Sequence, residues 1–273
     1  LPRIAIAMMI GAALSASGVA FQGVFRNPLV SPFILGVSGG AGFGAAVAIL
    51  LDGGTLAIQL SAFGFGALAV IVAVLLSRAY SSNPTLVLVL SGIITGGIFT
   101  ALLGLLKYVA DPEDKLPVIE FWLLGSLSSA RARIMFGLAA VVLPAMALAM
   151  ALRWRLNLLA FGDETARSLG VDVTRERFVH IALAPVLASA SVAVCGIVGW
   201  VGLVVPHLAR LLAGPDHVRL MPVSLLLGAI FLLAVDTLAR SLTTAEIPLG
   251  IVTALLGAPV FAVLLRRGER SWM

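Results

Sequence analysis

Residues that could do chemistry are few in this chain. Gly36-Val37-Ser38-Gly39-Gly40 has the G-x-S-x-G spacing of a hydrolase nucleophile elbow. That elbow needs a strand before the serine, and a histidine and an acid converging on it. Here the pentapeptide opens an apolar helical run, and the only histidines, His180, His207 and His217, lie in distant segments. Gly36, Gly40 and Gly44 fall four apart, the small-xxx-small spacing of packed transmembrane helices, and packing is the reading adopted. Neither lysine, Lys107 or Lys115, follows a glycine-rich loop, so no Walker A phosphate cradle exists. ATP-driven work would need the nucleotide on another chain. Cys195 is the single cysteine, which excludes an intrachain disulfide and a Cys-based metal site and leaves a small buried apolar residue. The ionisable groups within apolar runs are Asp236, His207 and Arg210, with Arg240 at an edge. An ion-coupled carrier usually needs buried carboxylates along its path. Asp236, four residues before Arg240, reads more simply as an i,i+4 ion pair.

The stretch Phe161-Gly-Asp-Glu-Thr-Ala-Arg-Ser-Leu-Gly-Val-Asp-Val173 is the most informative. Asp163 can cap a helix N-terminus, Glu164 suits the dipole there, and Gly170 can close the C-terminus with positive φ. About two helical turns result, flanked by Arg153, Arg155, Arg175 and Arg177. A solvated connector and an exposed docking element both fit these residues. If the helix docks, a large side chain at the small Ala166 should obstruct its partner.

The elements carrying these residues are apolar throughout. Hydrophobic residues make up 60% of the 273 and charged ones 11%, with mean hydropathy +1.12. Soluble domains carry roughly 25% charged residues, so a water-soluble globule is excluded. The net charge of +5 is spread between apolar runs without a basic stripe, which argues against nucleic acid. A transmembrane helix takes about 20 apolar residues. On that basis, spans are expected near 4–24, 34–51, 56–77, 85–106, 133–152, 179–197, 199–213, 221–239 and 248–265, with an interfacial helix over 117–129. The stretch 180–213 holds no charge except Arg210. As one rod it would run about 50 Å against a core of roughly 30 Å, so two short helices meeting at a bend over Gly196–Gly202 are expected. The whole is one all-α polytopic bundle, residues 1–273.

Nine spans sort the basic residues onto two faces. One face takes Arg26, Arg78, Arg153, Arg155, Arg167, Arg175, Arg177, Arg210, Arg219, Arg266, Arg267 and Arg270. The other takes Arg3, Lys107, Lys115, Arg131, Arg133 and Arg240. By the positive-inside rule the richer face and the C-terminus are cytoplasmic. An odd number of spans with Arg3 outside suggests one preceding helix, absent from this chain.

The ordered blocks Leu1-Pro2-Arg3, Arg26-Asn27-Pro28-Leu29, Leu35-Gly36-Val37-Ser38-Gly39-Gly40-Ala41, Gly202-Leu203-Val204-Val205-Pro206-His207-Leu208-Ala209-Arg210, Gly214-Pro215-Asp216-His217, Glu246-Ile247-Pro248-Leu249-Gly250 and Gly257-Ala258-Pro259 resemble the FecCD-type permeases. These are membrane subunits of ABC importers for iron-siderophores, haem and cobalamin. The resemblance covers essentially the whole chain. It implies ten helices per subunit, one more than here, and a homodimer around one pathway, embedded in the lipid of a prokaryotic cytoplasmic (inner) membrane. It also implies two cytoplasmic ATPase subunits holding ATP and Mg, and a periplasmic or lipoprotein substrate-binding protein. No cofactor or metal is implied for this chain, which is not itself an enzyme. By resemblance the coupling segment is Asp163, Glu164, Ala166, Arg167, Ser168, Leu169 and Gly170. The cytoplasmic gate is Asn27, Leu29, Thr85 and Leu86, and the binding-protein docking charges are Arg3 and Arg240. Lys107-Tyr108-Val109-Ala110-Asp111-Pro112 and Phe121-Trp122-Leu123-Leu124-Gly125-Ser126 occur in several substrate branches, one of them for molybdate or tungstate. A secondary transporter is the rival class. It would need buried acidic residues and inverted repeats, and neither is seen in the sequence.

Overall fold

The computed structural model describes residues 1–79 and 84–268. Eleven α-helices follow one another: α1 (Pro2–Phe25), α2 (Val37–Leu50), α3 (Thr55–Arg78), α4 (Pro84–Val109), α5 (Lys115–Leu124), α6 (Ala132–Ala160), α7 (Asp163–Ser168), α8 (Val173–Cys195), α9 (Val201–Ala213), α10 (His217–Ser241) and α11 (Leu249–Gly268). No strand occurs among the described residues. Six helices, α1, α3, α4, α6, α8 and α10, are long and apolar enough to cross a membrane, and α2, α9 and α11 are shorter apolar helices. Each of the nine expected spans therefore has a helix.

Boundaries differ from expectation where charge ends the apolar run before the helix ends. α6 continues eight residues past the expected Leu152 and α8 starts six before 179, because Arg153, Arg155, Arg175 and Glu176 are good helix residues outside hydrocarbon. The bend after α8 is where the glycines placed it. Gly196 and Trp200 both adopt positive φ between α8 and α9, although α8, at 23 residues, is a full-length helix. The interfacial helix is α5, and the chain leaves it at Gly125. There the Ser126 N–H donates to the Cys195 carbonyl at 2.9 Å, and the Leu249 N–H donates to the Gly125 carbonyl at 2.8 Å. Cys195 is buried, as expected.

Two helices form the interior. The apolar windows of α1 and α8 are 78% and 67% buried, against 22–33% for the other four long helices. α1 packs on α6, α8, α9 and α10, and glycines permit this. A methyl group at Gly11 would sit 2.0 Å from the Gly228 carbonyl oxygen, and one at Gly18 would sit 1.9 Å from that of Gly202. The backbones themselves are in contact, which only glycine allows. Gly40 and Gly44 meet the α3 backbone at Phe65 and Ser61, while Gly36 abuts Gly96 of α4. The Gly36–Gly44 series is therefore a packing seam, not a nucleophile elbow.

A repeat missed in the sequence appears in helix order. α1 to α4 have 24, 14, 24 and 26 residues, and α8 to α11 have 23, 13, 25 and 20. Packing crosses over between the halves, α1 against α10 and α8 against α3. Helix length and packing partner repeat while side chains differ.

Gly18→Ala should destabilise the fold by about 1–3 kcal/mol, the usual range for overpacking. Gly64→Ala, with open space around its α-carbon, should stabilise by about 0.5–1 kcal/mol through helix propensity. Thermal midpoints in detergent should move in opposite directions, and equal shifts would contradict the glycine seam.

Candidate functional site

At one end of the bundle, the last turns of α6 leave the apolar zone and are held from three sides. Its 29 residues reach about 43 Å, beyond a core of roughly 30 Å. Arg153 Nε donates to the Val218 carbonyl at 3.2 Å, and Arg155 pairs with the buried Glu176 of α8. The Asn157 side-chain amide donates to Asp216 at 2.6 Å, while its oxygen accepts the His217 backbone N–H at 2.9 Å. Asp216 in turn caps α10 through the Val218 N–H. That bond and the one from Asn157 hold its carboxyl below the ordinary value.

α7 hangs from this platform. It spans Asp163–Ser168, two residues shorter than expected, and its N-cap is Gly162, at φ 101°, rather than Asp163. Asp163 does not cap because arginines take its carboxylate. It pairs with Arg26, and Arg177 Nη2 donates to its two oxygens at 3.0 and 3.2 Å. Burial pushes its carboxyl up, but Arg26 and Arg177 hold it below the ordinary carboxylate value. This contribution is full above the ordinary range and is lost as pH falls through the lowered value. The C-terminus closes as foreseen. Gly170 has φ 78°, its N–H donates to the Arg167 carbonyl at 2.9 Å, and the Val171 N–H reaches the Ala166 carbonyl at 3.0 Å. That pair of bonds is a Schellman motif.

Ala166 lies differently from expectation. It is fully buried in this chain's own core, so a bulky residue there would displace α7 from its platform rather than block a partner. The exposed residues of the segment are Glu164, Thr165, Arg167, Ser168, Leu169 and Gly170.

The turn after α1 lies at the same end. Arg26 closes α1 in the left-handed region, φ 49° and ψ 36°, a conformation costing a non-glycine residue roughly 1–2 kcal/mol. Its Nε donates to the Leu159 carbonyl at 2.6 Å while Nη2 meets Asp163. Asn27 follows, its side-chain oxygen accepting the Leu29 N–H at 2.9 Å, which leaves Leu29 exposed. Thr85 and Leu86 begin α4, with Leu86 exposed. The four gate residues are thus on two elements. The structure adds Arg26, whose signal in the sequence was only its place before Asn-Pro-Leu.

A second ion network occupies the opposite end. Arg3 donates to Asp236 at 2.8 and 3.0 Å and to Glu246 at 2.8 Å through each Nη. Arg240 joins Asp236 at 3.3 Å, the expected i,i+4 pair. The Arg3 side chain is 21% exposed and that of Arg240 is 41%. Hydrogen bonds from Arg3 hold the Glu246 carboxyl below its ordinary value. At this end, Lys115 also pairs with Asp52 and Asp114, and Lys107 with Glu120, among the described residues. Among the described residues, no ion pair joins the two sets of basic residues expected on opposite faces. Arg266, Arg267 and Arg270 lie outside the described side chains.

A cleft of about 620 Å³ between α3, α6 and α8 is lined mainly by Leu56, Leu60, Phe63, Leu138 and Val141, with Arg131 and Arg133 on it. It holds no carboxylate or histidine, and the described residues contain no His/Cys/Asp/Glu group able to hold a metal.

The energetic ranking at the Arg3 end is testable. Asp236 is fully buried between two arginines, whereas the Glu246 side chain is 37% exposed. Removing a buried partner strands charge and costs about 3–5 kcal/mol, while an exposed pair contributes about 0.2–1 kcal/mol. Asp236→Asn should therefore lower the thermal midpoint well beyond Glu246→Gln, and only the smaller effect should fade in 1 M salt.

Comparison with known proteins fits this picture. The FecCD transport family model matches residues 1–267. The molybdate import system permease protein MolB of Haemophilus influenzae is 43% identical, over 100% of this chain and 81% of the relative. A probable iron chelatin transport system permease protein of Helicobacter pylori is 42% identical, over 98% of this chain and 81% of its own. The cobalamin import system permease protein BtuC of Halobacterium salinarum is 40% identical, over 98% and 72%. A solved metal-chelate type ABC transporter in an inward-facing conformation superposes with TM-score 0.94 at 42% identity, covering 98% of this chain and 85% of that one. A multi-pass helical membrane protein with this order of motifs and these relatives belongs to the FecCD transport family.

Proposed function

We propose that this chain is the permease subunit of a binding-protein-dependent ABC importer whose cargo is a metal chelate. The observation that carries the reading is the superposition on a metal-chelate type transporter over nearly the whole chain. In this reading all nine apolar helices cross the membrane, with the Arg26 end and the C-terminus in the cytoplasm. Two copies enclose the pathway, and two ATPase subunits dock against the exposed residues of α7. A substrate-binding protein docks at the Arg3 end. Loading and ATP binding then favour different conformations, and the difference in binding free energy between them drives alternating access. Molybdate is the second cargo to test, because MolB matches the full chain.

Arg240 is the better docking charge of the pair drawn from the resemblance. Arg240 engages Asp236 through Nε alone, whereas Arg3 is engaged by two carboxylates. Arg240→Glu should weaken association with the binding protein and flatten its salt dependence. Unchanged affinity and salt slope would remove Arg240 from the docking face.

Function itself is tested by uptake into proteoliposomes holding the permease, its ATPase and its binding protein. Labelled iron-siderophore, haemin, cobalamin and molybdate are offered in turn. Uptake should require ATP and binding protein and survive a protonophore. Uptake driven by an ion gradient without ATP would overturn the assignment, and uptake of molybdate alone would transfer it to the oxyanion.

A further inference from the structure

We propose that Arg26 is the positioning residue that ties α7 to the turn holding Asn27 and Leu29, so that the two move as one body. The inference rests on the importer reading above and names the contact by which motion at α7 would reach the gate. Three observations carry it. First, Arg26 spans two elements: its Nε binds the Leu159 carbonyl at the end of α6 and its Nη2 binds Asp163 at the start of α7. Second, its own backbone is the left-handed closure of α1. The Arg26 N–H donates to the Gly23 carbonyl at 3.3 Å and the Asn27 N–H to that of Gln22 at 3.1 Å. This is the Schellman geometry in which glycine is the usual residue. An arginine there keeps a strained φ, so its side chain supplies something that glycine would not. Third, the turn begins at the next residue. Asn27 bonds the Leu29 N–H, and the Val30 N–H returns to the Asn27 carbonyl at 3.3 Å. A displacement of Asp163 therefore reaches Leu29 through one side chain and three residues of hydrogen-bonded backbone.

The charges around the tie come from each element packed there. Asp163 faces Arg26 from α1 and Arg177 from α8, while the Arg155–Glu176 pair lies beside them, between α6 and α8. Arg177 keeps α7 seated on α8 when Arg26 is changed, so the tie can be cut without detaching α7.

The test uses the assembled importer with Leu29→Cys as reporter in a Cys195→Ala background. Thiol labelling at residue 29 is compared between nucleotide-free and vanadate-trapped complexes, beside transport per ATP hydrolysed. Arg26→Gly removes the side chain and suits the backbone, so the complex should assemble with an unchanged thermal midpoint. Its transport per ATP should fall by about fivefold or more, the lower bound of typical coupling between sites, and its labelling should stop responding to nucleotide. Arg26→Lys should restore part of both. Wild-type coupling and a wild-type labelling response in Arg26→Gly would overturn the tie. Equal loss in Arg26→Gly and Arg26→Lys with a lowered midpoint would also overturn it, since Arg26 would then be structural only. A wild-type complex without ATP-dependent uptake would instead overturn the importer reading.

Discussion

The contact on which the rest depends is backbone against backbone along α1. With carbonyl oxygens about one van der Waals radius from where a methyl would stand at Gly11 and Gly18, α1 cannot slide or rotate against α9 and α10 without opening both seams. Lipid offers no hydrophobic drive for helix association, so such close packing is the main cohesive term available in a bilayer. The consequence is a stiff, largely buried rod at the centre of the molecule. Helices of lower burial around it are free to face lipid or another copy.

Both ends of that rod carry an arginine in an ion network. Arg3, in the first turn of α1, is gripped by Asp236 and Glu246, and Arg26, its C-cap, by Asp163 and the Leu159 carbonyl. Charge is confined to these ends because an ion in hydrocarbon is expensive unless paired. The end groups therefore meet the neighbours that polar regions provide: the 242–248 connection on one side, and α7 with the extended end of α6 on the other. In the importer proposed above, α1 is the element attached at both ends.

Much of this was legible in the residues. Apolar run length located nine helices, and for the six long ones hydrocarbon thickness sets that length directly. Glycine spacing located the α2 seam and the bend at Gly196, and Gly170 announced its positive φ. Less legible were contacts between residues far apart in the chain. Asp163 looked like a cap because it precedes a helix, and only the fold shows two arginines competing for it. Ala166 looked available to a partner because its neighbours are polar, yet a six-residue helix has a face toward its own platform. The repeat of α1–α4 in α8–α11 escaped notice because it is carried by helix lengths and packing order rather than by residue identity.

The central claim is that the α7 platform and the turn after α1 form one rigid body that moves against the start of α4. Pulsed electron–electron spin resonance in the assembled complex measures this most directly, with nitroxide pairs at Leu29/Leu169 and at Leu29/Leu86 in nucleotide-free and vanadate-trapped states. The Leu29–Leu169 distance within one subunit should stay constant while the Leu29–Leu86 distance shifts. A changing Leu29–Leu169 distance with a constant Leu29–Leu86 distance would contradict the account.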